Sequence, residues 1–400
     1  VIPAHNILVL TYWSFNDALI QTYTLPYVKL IARQLPPGSR IFLLTLDRKP
    51  AEQLPDLSEW NIELVSVPYQ SFGIRGLFMW LKTLFGLLRL IRKQKIQTLH
   101  AWCTPAGMIG YLLSRLTGKR LIIDSYEPHA ETMVENGTWK RSSMAFKLLF
   151  RFEKWQTKRA AFLIAGTEGM RDYMSRKYEQ EKANFFVKPA CVDLDLFSEA
   201  HLKNPAMLSE LGLTGKIVCV YAGKFGGIYL DKEVFEFAKA ARDFWGEQFH
   251  LLVLSGHTEA EMLALSGKAG FDPSALTALF VPHAEVPAYL GLGDFALTPV
   301  KSVPTKRYCT PIKDGEYWAL GLPVVITPNI SDDSEIIVRN GIGSVIEELT
   351  PSGYMQAIRE TNRLLKSNTR AELYAKIRPV AERYRNFSIA EKVYQQIYKY

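Results

Sequence analysis

Short apolar runs alternate along nearly the whole chain with longer stretches whose apolar positions recur every three or four residues. In the first half the runs read as strands at Ile7 to Leu10, Arg40 to Leu46, Asn61 to Val67, Thr98 to Trp102, Arg120 to Asp124 and Ala161 to Ala165. Helical periodicity covers Asp17 to Gln34, Gly76 to Lys93, Ala106 to Leu116, Ser142 to Lys158 and Thr167 to Tyr178. Apolar strands separated by helices of this length predict a parallel sheet covered on both faces.

From Pro189 to Phe197 the alternation gives way to an irregular stretch, and then it restarts. Strands follow at Lys216 to Ala222, His250 to Leu254, Ala278 to Val281, Asp294 to Thr298, Pro323 to Thr327 and Ile342 to Glu347. Helices are expected at Lys232 to Asp243, Glu259 to Gly267, Glu285 to Leu290 and Ile312 to Leu320, with helical segments to the end. The pattern therefore predicts two Rossmann-like α/β domains, residues 1–196 and 197–385, joined once. A cleft between the carboxyl ends of their strands is where ligands are expected.

Four hundred residues suit two domains, and the 48% hydrophobic and 22% charged fractions are those of a globular protein. Cys103, Cys191, Cys219 and Cys309 lie far apart with no CxxC pair, which fits a reducing compartment and argues against a zinc site or a disulfide scaffold. No signal-peptide pattern is expected at the start, and the longest apolar stretch, Leu77 to Ile91, is interrupted by Lys82 and Arg89. A cytoplasmic protein, peripheral on the inner face of the cell membrane if it meets a bilayer, is the expectation. The net charge of +8 is uneven. Segment 71–97 has six basic residues and no acid, and segment 137–160 has seven against Glu153 alone. Interleaved with aromatic and aliphatic residues, both segments suit an anionic membrane surface or, equally, helices with one core face. No recognition module accompanies the charge, so nucleic acid is not expected as a partner.

Two stretches carry candidate chemistry. In TPIKDGEYWALGLPVV, starting at Thr310, a proline stands where a helix opens, and the amides of Ile312, Lys313 and Asp314 are left to bind a phosphate with help from the helix dipole. Lys313 adds a positive charge, its side chain free on this reading to face ligand or water. Glu316, one turn in, can accept hydrogen bonds from two neighbouring ribose hydroxyls; a plain helix-turn-strand with a surface glutamate accounts for the same residues. In YAGKFGGIYLDKE, starting at Tyr221, Gly223, Gly226 and Gly227 allow close approach of backbone to ligand, and Lys224 puts charge where a diphosphate can sit. A packing turn is the plainer account of these glycines.

The first stretch resembles the donor-binding signature of the retaining glycosyltransferases of family 4, which have the GT-B fold. Glu316 matches the second glutamate of that family's paired motif, and Ala319, Gly321, Pro323, Val324 and Val325 match its tail. Tyr308 stands where the first glutamate is expected. Lys224 matches a basic residue that neutralises the donor phosphates, with Lys232 as a more distant second, and Val281, Pro282 and His283 resemble the loop beside the nucleotide base. Val192, Asp193 and Phe197 resemble the stretch before the interdomain linker, so the triplet Asp193-Leu194-Asp195 reads as structural, and no metal site is expected. The ending FSIAEKVYQQIYKY looks like a final helix, within 386–400, that packs back on the N-terminal domain.

The resemblance implies an N-terminal acceptor domain. There IIDSYEPHAE keeps Asp124 and Glu127 of the family's pattern but has Tyr126 at the position of its histidine. Glu127 and His129 are the candidate catalytic residues on this side, Glu127 orienting or deprotonating an acceptor hydroxyl, and Asn16 lies in the first strand-helix loop. The donor would be a UDP- or GDP-linked sugar with no other cofactor, and the acceptor a glycan, a lipid-linked sugar or a small molecule. The leaving diphosphate would be stabilised by Lys224 and helix amides without a metal ion. The alternatives are a nucleotide-sugar epimerase or hydrolase of the same fold and a non-catalytic scaffold descended from a transferase.

Overall fold

The computed structural model describes residues 2–17, 19–47, 56–69 and 74–399 and, over 74–77, the backbone alone. Residues 71–73 of the basic segment, Phe72 among them, lie outside the described residues. Two compact units are present, one formed by the chain up to Pro189 with the segment from Ser388 onward, the other by Ala190–Phe387.

In the first unit the elements run β1 (Asn6–Leu10), α1 (Leu25–Gln34), β2 (Ile41–Asp47), β3 (Ile62–Pro68), α2 (Ile74–Lys93), β4 (Ile96–Trp102), α3 (Cys103–Thr117), β5 (Arg120–Tyr126), α4 (His129–Glu135), α5 (Met144–Arg159), β6 (Phe162–Ala165), α6 (Gly169–Tyr173) and β7 (Phe185–Val187). The strands form one parallel sheet in the order β3-β2-β1-β4-β5-β6-β7. Its central strands are apolar because both faces are covered: Ile7 through Leu10 are wholly buried.

The second unit runs α7 (Pro205–Glu210), β8 (Ile217–Ala222), α8 (Lys232–Trp245), β9 (Phe249–Leu254), α9 (Glu259–Ala269), β10 (Leu276–Leu279), α10 (Val286–Leu290), β11 (Phe295–Thr298), α11 (Ile312–Ala319), β12 (Val324–Ile326), α12 (Asp333–Asn340), β13 (Gly343–Val345), α13 (Pro351–Ser367) and α14 (Arg370–Arg385). Its parallel sheet has the order β10-β9-β8-β11-β12-β13. The strand order reverses between β1 and β4 in one sheet and between β8 and β11 in the other, and in open α/β sheets ligands bind beyond the carboxyl ends of such a pair. The last helix, α15 (Phe387–Ile397), carries the chain back to the first unit, where the Tyr394 hydroxyl donates to Asp124 at 2.8 Å.

Several expected elements are redrawn. The helix expected from Asp17 becomes a π-helical turn, Leu19–Thr24, followed by α1 with Pro26 in its first turn. Helix α4 and strand β7 appear where no element was expected, both too short to show a period. The boundary between units falls at Pro189, ahead of the expected 196. The Val192 amide donates to the Arg385 carbonyl at 2.8 Å, and Arg378 donates to the carbonyls of Leu194 and Phe197, which binds the junction segment to the second unit.

Candidate functional site

In the second unit the loop after β8 and the start of α11 come together at the switch point. The Ala222 amide donates to the Tyr317 hydroxyl at 3.0 Å, tying the end of β8 to α11. Gly226 and Gly227 turn the loop at φ +76° and +63°, a conformation that glycine adopts at little cost. A Cβ on Gly223 would lie 3.1 Å from Lys313 Nζ, so the missing side chain leaves room for an ammonium group directly beneath the loop. Lys313 is buried, contrary to the water-facing alternative. Its Nζ lies 3.9 Å from the ring centroid of Tyr229 and 5.2 Å from that of Tyr221. Among the described residues no carboxylate lies within ion-pair distance of it. Two aromatic faces offer a cation partial compensation, and an anion would complete it.

Helix α11 opens at Pro311 with no side-chain cap, so its first amides, Ile312 among them, are left to other partners. Thr310 and the buried Tyr308 lie just before it. Lys224 is exposed on the glycine loop, its carbonyl accepting from the Tyr221 hydroxyl. Further along α11, Glu316 lies 3.9 Å from His283 Nε2, and the His283 ring meets Phe197 edge-on. The structure thus gathers Gly223, Lys313 and the start of α11 around one spot, with Gly226 further along the same loop and Glu316 and His283 a turn away. Lys232 turns aside to pair with Glu236 at 2.6 Å.

The opposite face of α11 holds what the sequence did not disclose. The Asp314 carboxylate accepts from the Thr298 hydroxyl and faces Asp333, which in turn pairs with the buried guanidinium of Arg385. Burial raises both carboxyls above their ordinary range, Asp333 furthest, where the neighbouring Asp314 adds to the rise and the Arg385 guanidinium opposes it. Arg385 also lies over Trp318 and under Gly315, where a Cβ would come within 3.0 Å of its Cγ. Asp333 and Arg385 are remote from Asp314 in sequence, so no local spacing signals the clamp.

In the first unit Glu127 and His129 pair with each other at 3.3 Å, each about a third exposed. His129 opens α4, whose Ala130 amide donates to the buried Glu153 at 2.8 Å. Asp124 is an internal anchor: burial would raise its pKa, but Lys188 at 3.0 Å, His100 and Tyr394 hold it down at about 2. Tyr126, at the family's histidine position, turns into the core and bonds Thr157 at 2.6 Å. The loop bearing the exposed Asn16 is fixed by Asp47, which accepts from the Ser14 hydroxyl and the Phe15 amide. Asp193 accepts from the amides of Asp195 and Leu196, closing a turn.

Two parallel Rossmann-like units with these connections define the GT-B fold. Residues 21–189 match the profile of the glycosyl transferase 4-like domain. Among solved structures the chain is similar to a sucrose-phosphate synthase from Thermosynechococcus elongatus (15% identity, covering 99% of this chain and 98% of that one, TM-score 0.73). It is similar to WaaG, a glycosyltransferase involved in lipopolysaccharide biosynthesis, with 16% identity, 98% and 99% coverage and a TM-score of 0.72. It is also similar to Anabaena HepE in complex with UDP-glucose, with 13% identity, 98% and 99% coverage and a TM-score of 0.70. No curated protein matches the sequence. The chain therefore carries a glycosyl transferase 4-like domain over 21–189 and has the GT-B fold along its length.

Proposed function

We propose that the chain transfers a glycosyl group from a UDP- or GDP-linked sugar to a hydroxyl acceptor, with retention of anomeric configuration. The observation that carries this reading is the buried Lys313 ammonium, without a carboxylate partner among the described residues, beneath Gly223 and at the uncapped start of α11. A diphosphate there meets that cation, the α11 amides and the nearby Lys224, and gains most as the anomeric bond breaks and charge collects on the leaving phosphate. This arrangement asks for no metal ion. Glu316, beside His283, takes the ribose hydroxyls, with the base near His283. The UDP complexes of HepE support a UDP-linked donor. Retention rests on the family-4 resemblance. On the acceptor side Glu127 accepts the hydroxyl proton and His129 orients it, the acceptor being a glycan or lipid-linked sugar. We place the protein in the cytoplasm, peripheral on the inner membrane face.

The test is a thermal-shift screen of nucleotide diphosphate sugars in EDTA, followed by incubation of the selected donor with candidate acceptors. Free nucleoside diphosphate is expected to appear only when an acceptor is present. Release at the same rate without acceptor would favour a hydrolase, and conversion of the donor into an isomeric nucleotide sugar would favour an epimerase.

A further inference from the structure

Helices α2, α3 and α5 form one layer on the first unit's sheet, α3 packing against both of the others. Tyr111 of α3 stacks on Trp155 of α5, with centroids 6.0 Å apart, so the outer surface is continuous across that pair. Core positions follow the helical period: Leu87 and Ile91 on α2, Leu113 on α3, Phe146 and Leu149 on α5 face inward. The outward face departs from the ordinary solvated pattern. Phe78 and Phe85 of α2 are 69% and 68% exposed, and Met144 of α5 is 77% exposed, with Leu116 and Leu148 also bare. The side chains between them are basic: Lys82 and Arg89 on α2, Arg115 on α3, Lys147 and Arg151 on α5. The only acid in the three helices is Glu153, and it is buried.

Isolated exposed apolar residues need no explanation, but a run of bare phenylalanine, leucine and methionine on a face without one exposed carboxylate does. A protein partner is the poorer fit, since it would have to supply a carboxylate for each of these basic side chains or bury them unpaired. An anionic bilayer meets both features at once, burying apolar side chains at the acyl boundary while lysine and arginine remain among the headgroups. Among the described residues no helix is long and apolar enough to cross a membrane, so this contact is with the surface. We infer that the outer face of α2, α3 and α5 docks on a bilayer rich in anionic lipid. The inference rests on the peripheral membrane placement proposed above, names its surface on the first unit, and is independent of the donor site proposed in the second.

The experiment is co-sedimentation of the full chain with phosphatidylcholine vesicles, with and without phosphatidylglycerol. Binding is expected with phosphatidylglycerol, weak without it, and falling as salt rises. Phe78→Ser with Phe85→Ser, and separately Lys147→Glu with Arg151→Glu, should each lower partitioning roughly tenfold or more. Their melting temperatures should not move, since all four side chains are exposed. Failure of the wild-type chain to bind, or partitioning unchanged in both variants, would overturn the inference. So would light scattering that shows a dimer broken by the phenylalanine pair, which would make this face a contact between copies. Nucleotide-sugar binding is measured separately, so loss of one reading leaves the other in place.

Discussion

Glu153 is fully buried on α5, where it accepts from the Ala130 amide at 2.8 Å and the Tyr178 hydroxyl at 2.9 Å. Burial outweighs those bonds and pushes its pKa up to about 7. A carboxyl raised on folding binds its proton more tightly in the native state. Its contribution to stability is complete below the ordinary carboxylate range and is lost as pH rises through about 7. Glu153→Gln keeps an acceptor for Ala130 without the charge, so its melting temperature should fall less than the wild type's as pH rises through neutrality. Parallel curves would show that Glu153 does not titrate there. Residues of this kind are hard to read from sequence. Glu153 looked like the one acid on a basic helix, and its burial follows from the turn of α5, which places it with Phe146 and Leu149. Lys313 was legible as a residue but not in direction, because that direction depends on the missing side chain at Gly223 and on the Tyr229 ring.

Helix α11 is held at both faces and at its end. Tyr317 takes the Ala222 amide, Arg385 and Asp333 grip the side bearing Asp314 and Gly315, and Gly321 turns the chain out at φ +65°. A Cβ on Gly321 would lie 2.4 Å from the Tyr374 Cα, a backbone atom that cannot step aside. Gly321→Ala should therefore cost about 1–3 kcal/mol or more, combining overpacking with a left-handed backbone, as read by denaturant unfolding. A change within a few tenths would mean that α11 and α14 are less tightly apposed. Buried strands such as NILVL and FHLLVL were legible because both their faces are covered and the apolar run is unbroken. Helix α4 was not, since seven residues set mostly by the Glu153 contact to its first turn leave no period. The π-helical turn before α1 is equally silent, since it differs from an α-helix only in its hydrogen-bond pattern.

In the whole molecule, two units of the same build bear different chemistry at the carboxyl ends of their strands. In the second, glycines and a helix start surround a buried cation; in the first, the ends of β4 and β5 carry Cys103 and Ser125 at φ +70° and +48°, side chains that rarely take that conformation. The repeated alternation of strand and helix made the two-unit plan legible. The junction segment is hard to assign from sequence because its allegiance rests on bonds to the Arg385 carbonyl and the Arg378 guanidinium, far along the chain. The motif proposed for the donor site stands out in the sequence because its residues are contiguous, from Thr310 to Val325, whereas the clamp beneath it spans Thr298 to Arg385. On the proposed reading the nucleotide diphosphate sits over Lys313. Calorimetric titration of the full chain with its selected donor in EDTA, comparing wild type with Lys313→Met, decides this. Removing a charge-assisted contact to the diphosphate should weaken binding roughly tenfold or more while the variant stays folded. Equal affinity in the two proteins would place the diphosphate elsewhere.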